Sequence, residues 1–235
     1  MSYDEIMCQF ENLKMNITEN ISKIKSSLPS HVTLVAVSKT KPVTDLMEAY
    51  HAGQRIFGEN KIQEMTEKWE QMPKDIQWHM IGHVQSNKVK YMIPYVSLIH
   101  GVDSLKLLKE INRLAAKWRK KVDCLLQIHI AEEDTKFGLD EKELDEILKQ
   151  VQNDNASFSN IRIVGLMGMA TFTENQEQIK REFLHLKSIF DQLKQLETSN
   201  LKLETLSMGM SGDYQLAIEC GSNMVRIGSS IFGGR

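Results

Sequence analysis

The chain has 235 residues, of which 41% are hydrophobic and 26% charged, and its formal net charge at pH 7 is −2. This composition is typical of a compact globular protein, and no Pro-, Gly- or Ser-rich linker divides residues 1–235, so we expect a single domain. The nearly balanced charge argues against nucleic acid as a partner, since the only dense basic run, residues 117–121, is interpreted as a solvated helix end.

Residues 4–26 carry apolar side chains at helical spacing, which predicts a long amphipathic helix before the first strand. Residues 31–38 form a nearly continuous β-branched apolar run, the pattern of a strand covered on both faces. Further strands are predicted at residues 54–58, 76–81, 96–100, 122–130, 161–167, 203–207 and 224–227. Helices are predicted at residues 41–53, 61–72, from 85 onward, 104–118, 140–151, 176–196 and 213–220, and a Gly/Ser turn follows the last strand.

These eight strand–helix units alternate strictly, which indicates parallel strands joined by crossover helices. We therefore predict an α/β fold, a single (β/α)8 TIM barrel with an extra N-terminal helix, and keep an open doubly wound sheet as the alternative. Active sites of such barrels lie at the C-terminal ends of the strands. The residues directly after each strand are therefore the candidates for chemistry.

The cysteines and the apolar runs restrict the cellular context. Cys8, Cys124 and Cys220 are far apart and odd in number, which predicts reduced thiols and neither a disulfide framework nor a zinc site. The acidic N-terminus does not resemble a signal peptide, and no apolar run approaches the ~18 residues of a membrane-spanning helix. We expect a cytoplasmic protein with no membrane partner.

Lys39 directly follows the first predicted strand, at the end of its apolar run. Burial of an ammonium group is costly unless the group is paired or neutral. In one interpretation, the Lys39 side chain simply extends along the apolar surface into solvent. In the other, it is a desolvated nucleophilic amine, suited to form a Schiff base with a carbonyl compound.

Two glycine-containing segments follow the last two strands, residues 207–213 and residues 226–230. The first predicts a strand end, a glycine turn and a helix start with Ser211 at the N-cap. Glycines, hydroxyls and helix N-termini together form anion sites, and these loops of a barrel commonly bind phosphate, although each segment alone could be an ordinary turn. A lysine near a phosphate site suggests a phosphorylated carbonyl compound as ligand. Arg226 either pairs with a carboxylate or points at that ligand.

Six motifs of this sequence resemble the pyridoxal phosphate homeostasis proteins, a family similar to the barrel half of alanine racemase. In order along the chain they are VAVSK (35–39), FGEN (57–60), HMIGHVQSNK (79–88), GLMGM (165–169), SMGMS (207–211) and RIGSSIFG (226–233). The resemblance spans essentially the whole chain. It departs at Val84, where the family typically has Leu, and at Gly212, where a polar residue is common.

The resemblance implies the barrel known as fold type III of pyridoxal phosphate proteins, with pyridoxal 5′-phosphate held as a Schiff base on Lys39. It implies that Ser211, Gly228 and Ser229 surround the phosphate and that Arg226 faces the pyridine nitrogen. It also implies that Asn60 and Met208 line the cofactor. His83 and Asn87 are expected to be either neighbours of the site or packing and capping residues. No zinc site is expected at His79 and His83, because they span a strand and loop and lack the HExxH glutamate.

Catalysis is the open question. By resemblance, a racemase would use Lys39 and a tyrosine from a second domain as its two bases. The sequence ends at Arg235, just after the eighth strand, and none of its five tyrosines obviously supplies the base. We therefore expect no enzymatic activity, but a monomeric carrier or buffer in vitamin B6 homeostasis, with pyridoxal phosphate-dependent apoenzymes as candidate recipients. The alternatives are a weak amino-acid racemase, a sugar-phosphate enzyme without this cofactor, and a purely structural module.

Overall fold

The computed structural model describes residues 16–133, 137–153, 157–196 and 198–234. Eight parallel strands pair in chain order, and the first strand pairs with the last, so the sheet is a closed barrel. The strands are β1 (Thr33–Val37), β2 (Ile56–Glu59), β3 (Gln77–Met80), β4 (Val96–Val102), β5 (Val122–Gln127), β6 (Ile161–Met167), β7 (Leu201–Ser207) and β8 (Met224–Ile227). The closed α/β barrel predicted from the alternating pattern is confirmed, and the open sheet is wrong.

Helices cover the outside of this barrel. They are α1 (Ile17–Ser27), α2 (Val43–His51), α3 (Ile62–Gln71), α4 (Val89–Met92), α5 (Leu105–Lys117), α6 (Glu141–Asn153), α7 (Gln176–Leu193), α8 (Tyr214–Glu219) and α9 (Ser229–Phe232). The extra helix α1 begins at the cap residue Asn16, whose side chain accepts a hydrogen bond from the Glu19 N–H at 2.8 Å. The part of the predicted first helix at residues 4–15 lies outside the described residues.

The structure differs from the predicted elements mainly at two short segments. The helix predicted from residue 85 begins as a single 3-10 turn at Ser86–Lys88 before α4. The predicted Gly/Ser turn after β8 continues as the one-turn helix α9, with Gly228 at its N-cap. In both places too few residues repeat for a helical pattern to be visible in sequence.

The barrel interior contains a small apolar layer separate from the larger core between sheet and helices. Its buried members are Val35, Leu98, Leu125, Met167 and Met224, all on strands. The main core combines the outward faces of the strands with the apolar faces of the helices. Strand residues alternate between these two layers. A cavity lies at the C-terminal ends of the strands, the end at which such barrels place their active sites.

Three further expectations concern single residues and helices. The basic run lies at the C-terminal end of α5, as predicted. It is not simply solvated, since Lys120 donates to the carbonyls of Ile93 and Pro94 and Lys121 donates to Asn200 Oδ1. Cys124 and Cys220 are buried free thiols, whereas Cys8 lies outside the described residues. Of the helices that the structure describes, none is both long and apolar enough to cross a membrane.

Candidate functional site

A cavity of about 400 Å³ opens at the C-terminal ends of β1, β2, β3, β6, β7 and β8. Six of the seven residues implied as cofactor contacts line it. They are Lys39, Asn60, Ser211, Arg226, Gly228 and Ser229. Barrel closure explains this grouping, because pairing of β8 with β1 brings residues almost 190 positions apart in sequence to the same rim.

Met208 is the seventh implied contact, and the structure places it elsewhere. Its side chain is fully buried in the main core, and its backbone carbonyl accepts a hydrogen bond from the Ser222 hydroxyl at 2.7 Å. Met169 and Met210 lie in the cavity wall instead. Residue 208 therefore packs between sheet and helices, where its side chain does not reach the cavity.

Lys39 enters the cavity from the end of β1. The preceding residue, Ser38, continues the ladder by donating its N–H to the Gly58 carbonyl at 3.0 Å. The following residue, Thr40, has a φ of 65°, an unusual conformation for a β-branched residue. The chain thus turns sharply just beyond the end of β1, and the half-buried side chain of Lys39 lies among the lining residues.

The two glycine-containing loops meet on the other side of the cavity. The Gly228 N–H donates to Ser211 Oγ at 3.2 Å, so the loops after β7 and β8 are directly linked. Ser229 starts α9, whose first turn leaves backbone N–H groups without partners inside the helix. Hydroxyl and N–H donors thus converge at one place, as an anion site requires.

The prediction of Ser211 as a helix N-cap is wrong, because α8 starts later and its cap residue is Asp213. Asp213 instead accepts a hydrogen bond from the Met210 N–H at 2.5 Å, which tightens the loop. Gly212, where the sequence departs from the family, needs no glycine, since a Cβ there would meet no atom within 4 Å. The unusual residue at this position therefore does not disturb the loop.

Arg226 is buried and donates to neutral oxygens. Its Nη1 lies 2.9 Å from the Ser207 carbonyl oxygen and 2.6 Å from Ser207 Oγ, and its Nη2 lies 2.9 Å from the Gly168 carbonyl oxygen. Burial lowers its pKa to about 10, and the charge of Asp213 opposes this shift. Among the described residues no carboxylate is in salt-bridge contact with it, so the interpretation as a paired structural arginine is not supported.

A hydrogen-bonded chain continues from Arg226 through the barrel interior. Ser207 Oγ lies 3.2 Å from His100 Nδ1, and His100 Nε2 lies 3.1 Å from His79 Nδ1. The Ser207 oxygen accepts from the Arg226 guanidinium, which leaves the hydroxyl proton available for His100, and His100 can in turn donate to His79. In this arrangement both rings are neutral, and burial lowers the pKa of His79 to about 3 and that of His100 well below its usual value.

His83 and Asn87 do not line the cavity. His83 Nδ1 lies 2.8 Å from Asp103 Oδ2, and its ring stacks on Phe137 at 4.4 Å between centroids. Asn87 belongs to the 3-10 turn before α4. Within the described parts of the chain, no group of three or more His, Cys, Asp or Glu side chains could hold a metal ion.

Among the lining residues that were not proposed as site residues from the sequence, Asp213 and Phe172 differ most from the rest, one in charge and the other in exposure. Asp213 is the only acidic residue of the described cavity wall, and burial raises the pKa of its carboxyl group. Phe172 stands at the mouth with 93% of its surface exposed. Asp213 lies two residues after the SMGMS motif, so its position near the cavity could have been predicted from the sequence. Nothing in the local sequence pattern indicates a role for Phe172.

The chain is similar to known proteins in sequence and in fold. Residues 14–235 match the family model described as alanine racemase, N-terminal domain. A pyridoxal phosphate homeostasis protein of Pasteurella multocida is 38% identical over 94% of this chain and 98% of its own length. The structure of PipY from Synechococcus elongatus with pyridoxal phosphate bound superposes with a TM-score of 0.82, at 33% identity over 92% of this chain and all of that one.

The similarity to alanine racemase itself is one of fold. The enzyme of Bartonella henselae, with covalently bound pyridoxal phosphate, superposes with a TM-score of 0.70 at 18% identity. The match covers 94% of this chain but 63% of the racemase chain. The barrel is therefore shared with a longer protein.

Proposed function

The chain belongs to the pyridoxal phosphate homeostasis protein family, and on that premise we propose that it binds pyridoxal 5′-phosphate through Lys39 and holds it for vitamin B6 homeostasis. One observation carries the proposal. The amine-bearing Lys39, the Arg226 guanidinium and the joined Ser211–Gly228 loops all line one cavity.

The donor set of the cavity fits this cofactor. A pyridoxal aldehyde requires a primary amine, which Lys39 provides, and a phosphate monoester requires hydrogen-bond donors, which Ser211 and Ser229 provide together with backbone N–H groups. The Ser211 oxygen accepts from Gly228, so its hydroxyl proton remains available for an anion. The volume of about 400 Å³ is also within the range of small-molecule sites.

The cofactor, when bound, supplies an aldehyde that condenses with an amine and an aromatic ring that withdraws electrons. The role of Arg226 toward that ring follows from its charge. A guanidinium remains protonated and can only donate, so it disfavours protonation of a pyridine nitrogen that it faces. The carbonyl oxygens of Ser207 and Gly168, together with the Ser207 hydroxyl, fix the plane of the Arg226 guanidinium in the absence of a ligand. This arrangement suits storage of the cofactor more than carbanion chemistry.

The finer assignments are part of the same proposal. We propose a carrier or buffer without catalytic activity, acting as one domain and one protomer in the cytoplasm, with apoenzymes of the same cofactor as recipients. The main alternative, a weak amino-acid racemase, is favoured by the shared racemase barrel and by the Asp213 carboxyl group in the cavity wall. No tyrosine lines the described part of the cavity, which supports the carrier assignment.

The test is the visible absorbance of the purified protein incubated with pyridoxal 5′-phosphate, before and after borohydride. We expect a band that borohydride abolishes, with the cofactor then fixed on Lys39 in a peptide map. Lys39→Ala should lose the band, whereas Lys106→Ala, at an exposed position on α5, should keep it. A colourless wild-type protein that also fails to retain the cofactor would overturn the proposal.

A separate assay decides between carrier and racemase. The wild-type protein is incubated with single enantiomers of common amino acids, and the opposite enantiomer is measured by chiral chromatography. We expect none above the level of free cofactor. Turnover that disappears in Lys39→Ala would establish the racemase instead, and loss of turnover in Asp213→Asn would then identify its second base.

A further inference from the structure

A buried ionic cluster lies directly behind Lys39, outside the cavity wall. Its centre is Lys68 on α3, which is only 5% exposed. The Lys68 ammonium group donates to the Ser38 carbonyl oxygen at 2.8 Å and to one carboxylate oxygen each of Glu59 and Glu64, both at 2.7 Å. All three ammonium donors are thus used, as burial of a lysine requires.

The cluster holds the backbone on both sides of Lys39. On the N-terminal side, the Ser38 hydroxyl donates to Glu59 Oε1 at 2.7 Å, while the Ser38 carbonyl accepts from Lys68. On the C-terminal side, the Thr40 N–H donates to Glu64 Oε1 at 2.5 Å. Thr40 has the left-handed φ of 65°, a conformation that persists only where surrounding contacts impose it.

We infer that Lys68 is a positioning residue for Lys39, holding the amine-bearing residue through Ser38 on one side and through Glu64 and Thr40 on the other. The inference rests on the proposed function, because it assigns Lys68 a purpose only if Lys39 captures the cofactor. Lys68 does not line the cavity and acts through its neighbours. Its effect should therefore be confined to the covalent step.

The cost of the cluster supports a positioning role over a purely stabilising one. Buried ion pairs are generally no more stable than apolar packing of equal volume. In addition, Glu59 Oε2 is buried without a hydrogen-bond partner among the described residues, and burial raises the pKa of this carboxyl group against the influence of Lys68. Unsatisfied buried polar groups and strained conformations are most common at functional sites, where a defined backbone geometry is kept at a cost in stability.

The experiment compares two ligands that differ only at the reacting carbon. Pyridoxal 5′-phosphate has the aldehyde, whereas pyridoxine 5′-phosphate has an alcohol and cannot condense with Lys39. Kd is measured for both by titration with the wild-type protein, Lys68→Met, Glu64→Ala and Glu64→Gln. Lys106→Met makes the same chemical change as Lys68→Met at an exposed position of α5. Far-ultraviolet circular dichroism establishes that each variant is folded.

We expect Lys68→Met and Glu64→Ala to raise the Kd for pyridoxal 5′-phosphate by about tenfold or more, since each removes a hydrogen bond to a charged group. The Kd for pyridoxine 5′-phosphate should change less than about threefold. Glu64→Gln, which keeps an acceptor for the Thr40 N–H, should restore most of the loss, and Lys106→Met should match the wild type.

Two outcomes would overturn the inference. Equal weakening of both ligands would assign Lys68 a general structural role, and unchanged binding of both would remove any role. If Lys68→Met does not fold, the comparison of Glu64→Ala with Glu64→Gln tests the inference instead. These substitutions disturb the fold less, because the Glu64 side chain is partly exposed. Failure of the proposed function gives a different result, since the wild-type protein itself would then bind the two ligands equally and lack the borohydride-sensitive band.

Discussion

The barrel has an opening at each end, and the two are similar in size but different in chemistry. The upper cavity at the C-terminal ends of the strands holds about 400 Å³, and the lower cleft at their N-terminal ends holds about 440 Å³. Arg226 in the upper cavity donates to neutral oxygens. Arg162 in the lower cleft is paired in bidentate geometry with Asp123, at 2.6 and 2.7 Å.

The two openings therefore differ in how their charged side chains are paired and not in size. The lower cleft satisfies its charges internally, since Lys202 is also paired with Glu204 at 2.6 Å. In the upper cavity the arginine has no carboxylate in direct contact among the described residues, and hydroxyl and N–H donors converge beside it. A charged ligand therefore gains more at the upper end, where fewer existing pairs must be broken.

The largest expected effect tests the donors of the upper cavity. The double variant Ser211→Ala/Ser229→Ala should weaken binding of pyridoxal 5′-phosphate by about two to four orders of magnitude, since each hydrogen bond to a phosphate contributes about 1.5–3 kcal/mol. The measurement is a binding titration. Ser97→Ala, in the wall of the lower cleft, should leave Kd unchanged.

Pyridoxal without phosphate is the matched ligand for this variant. It should bind the double variant and the wild type equally, because it offers no anion to the two serines. If the double variant retains full affinity for the phosphorylated ligand, the phosphate lies elsewhere and the contrast between the two ends loses its basis.

An intermediate effect is expected when the two arginines are each replaced by methionine. Arg226→Met should lower the free energy of unfolding of the ligand-free protein by about 3 kcal/mol, because two buried carbonyl oxygens lose their donors. Arg162→Met should lower it by less than about 1 kcal/mol, as is usual for an exposed ion pair. Urea unfolding measures both, and equal losses would contradict the difference in burial on which the comparison depends.

The smallest effect concerns the histidine chain between the two ends. The folded-state pKa of His79 is lowered from 6.5 to about 3, so below pH 6.5 the unfolded chain binds a proton that the folded protein does not. Stability is therefore lost as the pH falls from 6.5 toward 3. From pH 7 to 5 the loss due to His79 is about 2 kcal/mol.

Urea unfolding at pH 7 and pH 5 measures this loss. His79→Asn should reduce the pH dependence by the stated amount, while His31→Asn, at an exposed position before β1, should not. An unchanged pH dependence in His79→Asn would mean that the buried histidine takes up its proton without penalty, and that the barrel interior is wet.

Much of the site was predictable because its determinants are local. The end of an apolar strand placed Lys39, and the glycine and serine motifs placed Ser211, Gly228 and Ser229. The Ser211 cap was misplaced by two residues because loop length, and not composition, decides where α8 begins. Lys68 was overlooked although it follows Ile62 and Met65 at helical spacing on the buried face of α3. A lysine on the apolar face of a predicted helix could have indicated a buried, paired ammonium group.

The sequence by itself determined the alternating strands and helices, the lysine at the end of the first strand and the family. Only the tertiary structure decided which of these residues meet. Closure of β8 onto β1 brought Arg226 and Lys39 to one cavity, whereas Met208 is buried in the main core and does not line it. The physical reason is the sequence separation over which each determinant acts. Local periodicity determines whether a side chain faces the core or solvent, whereas barrel closure and strand register determine which distant residues become its neighbours.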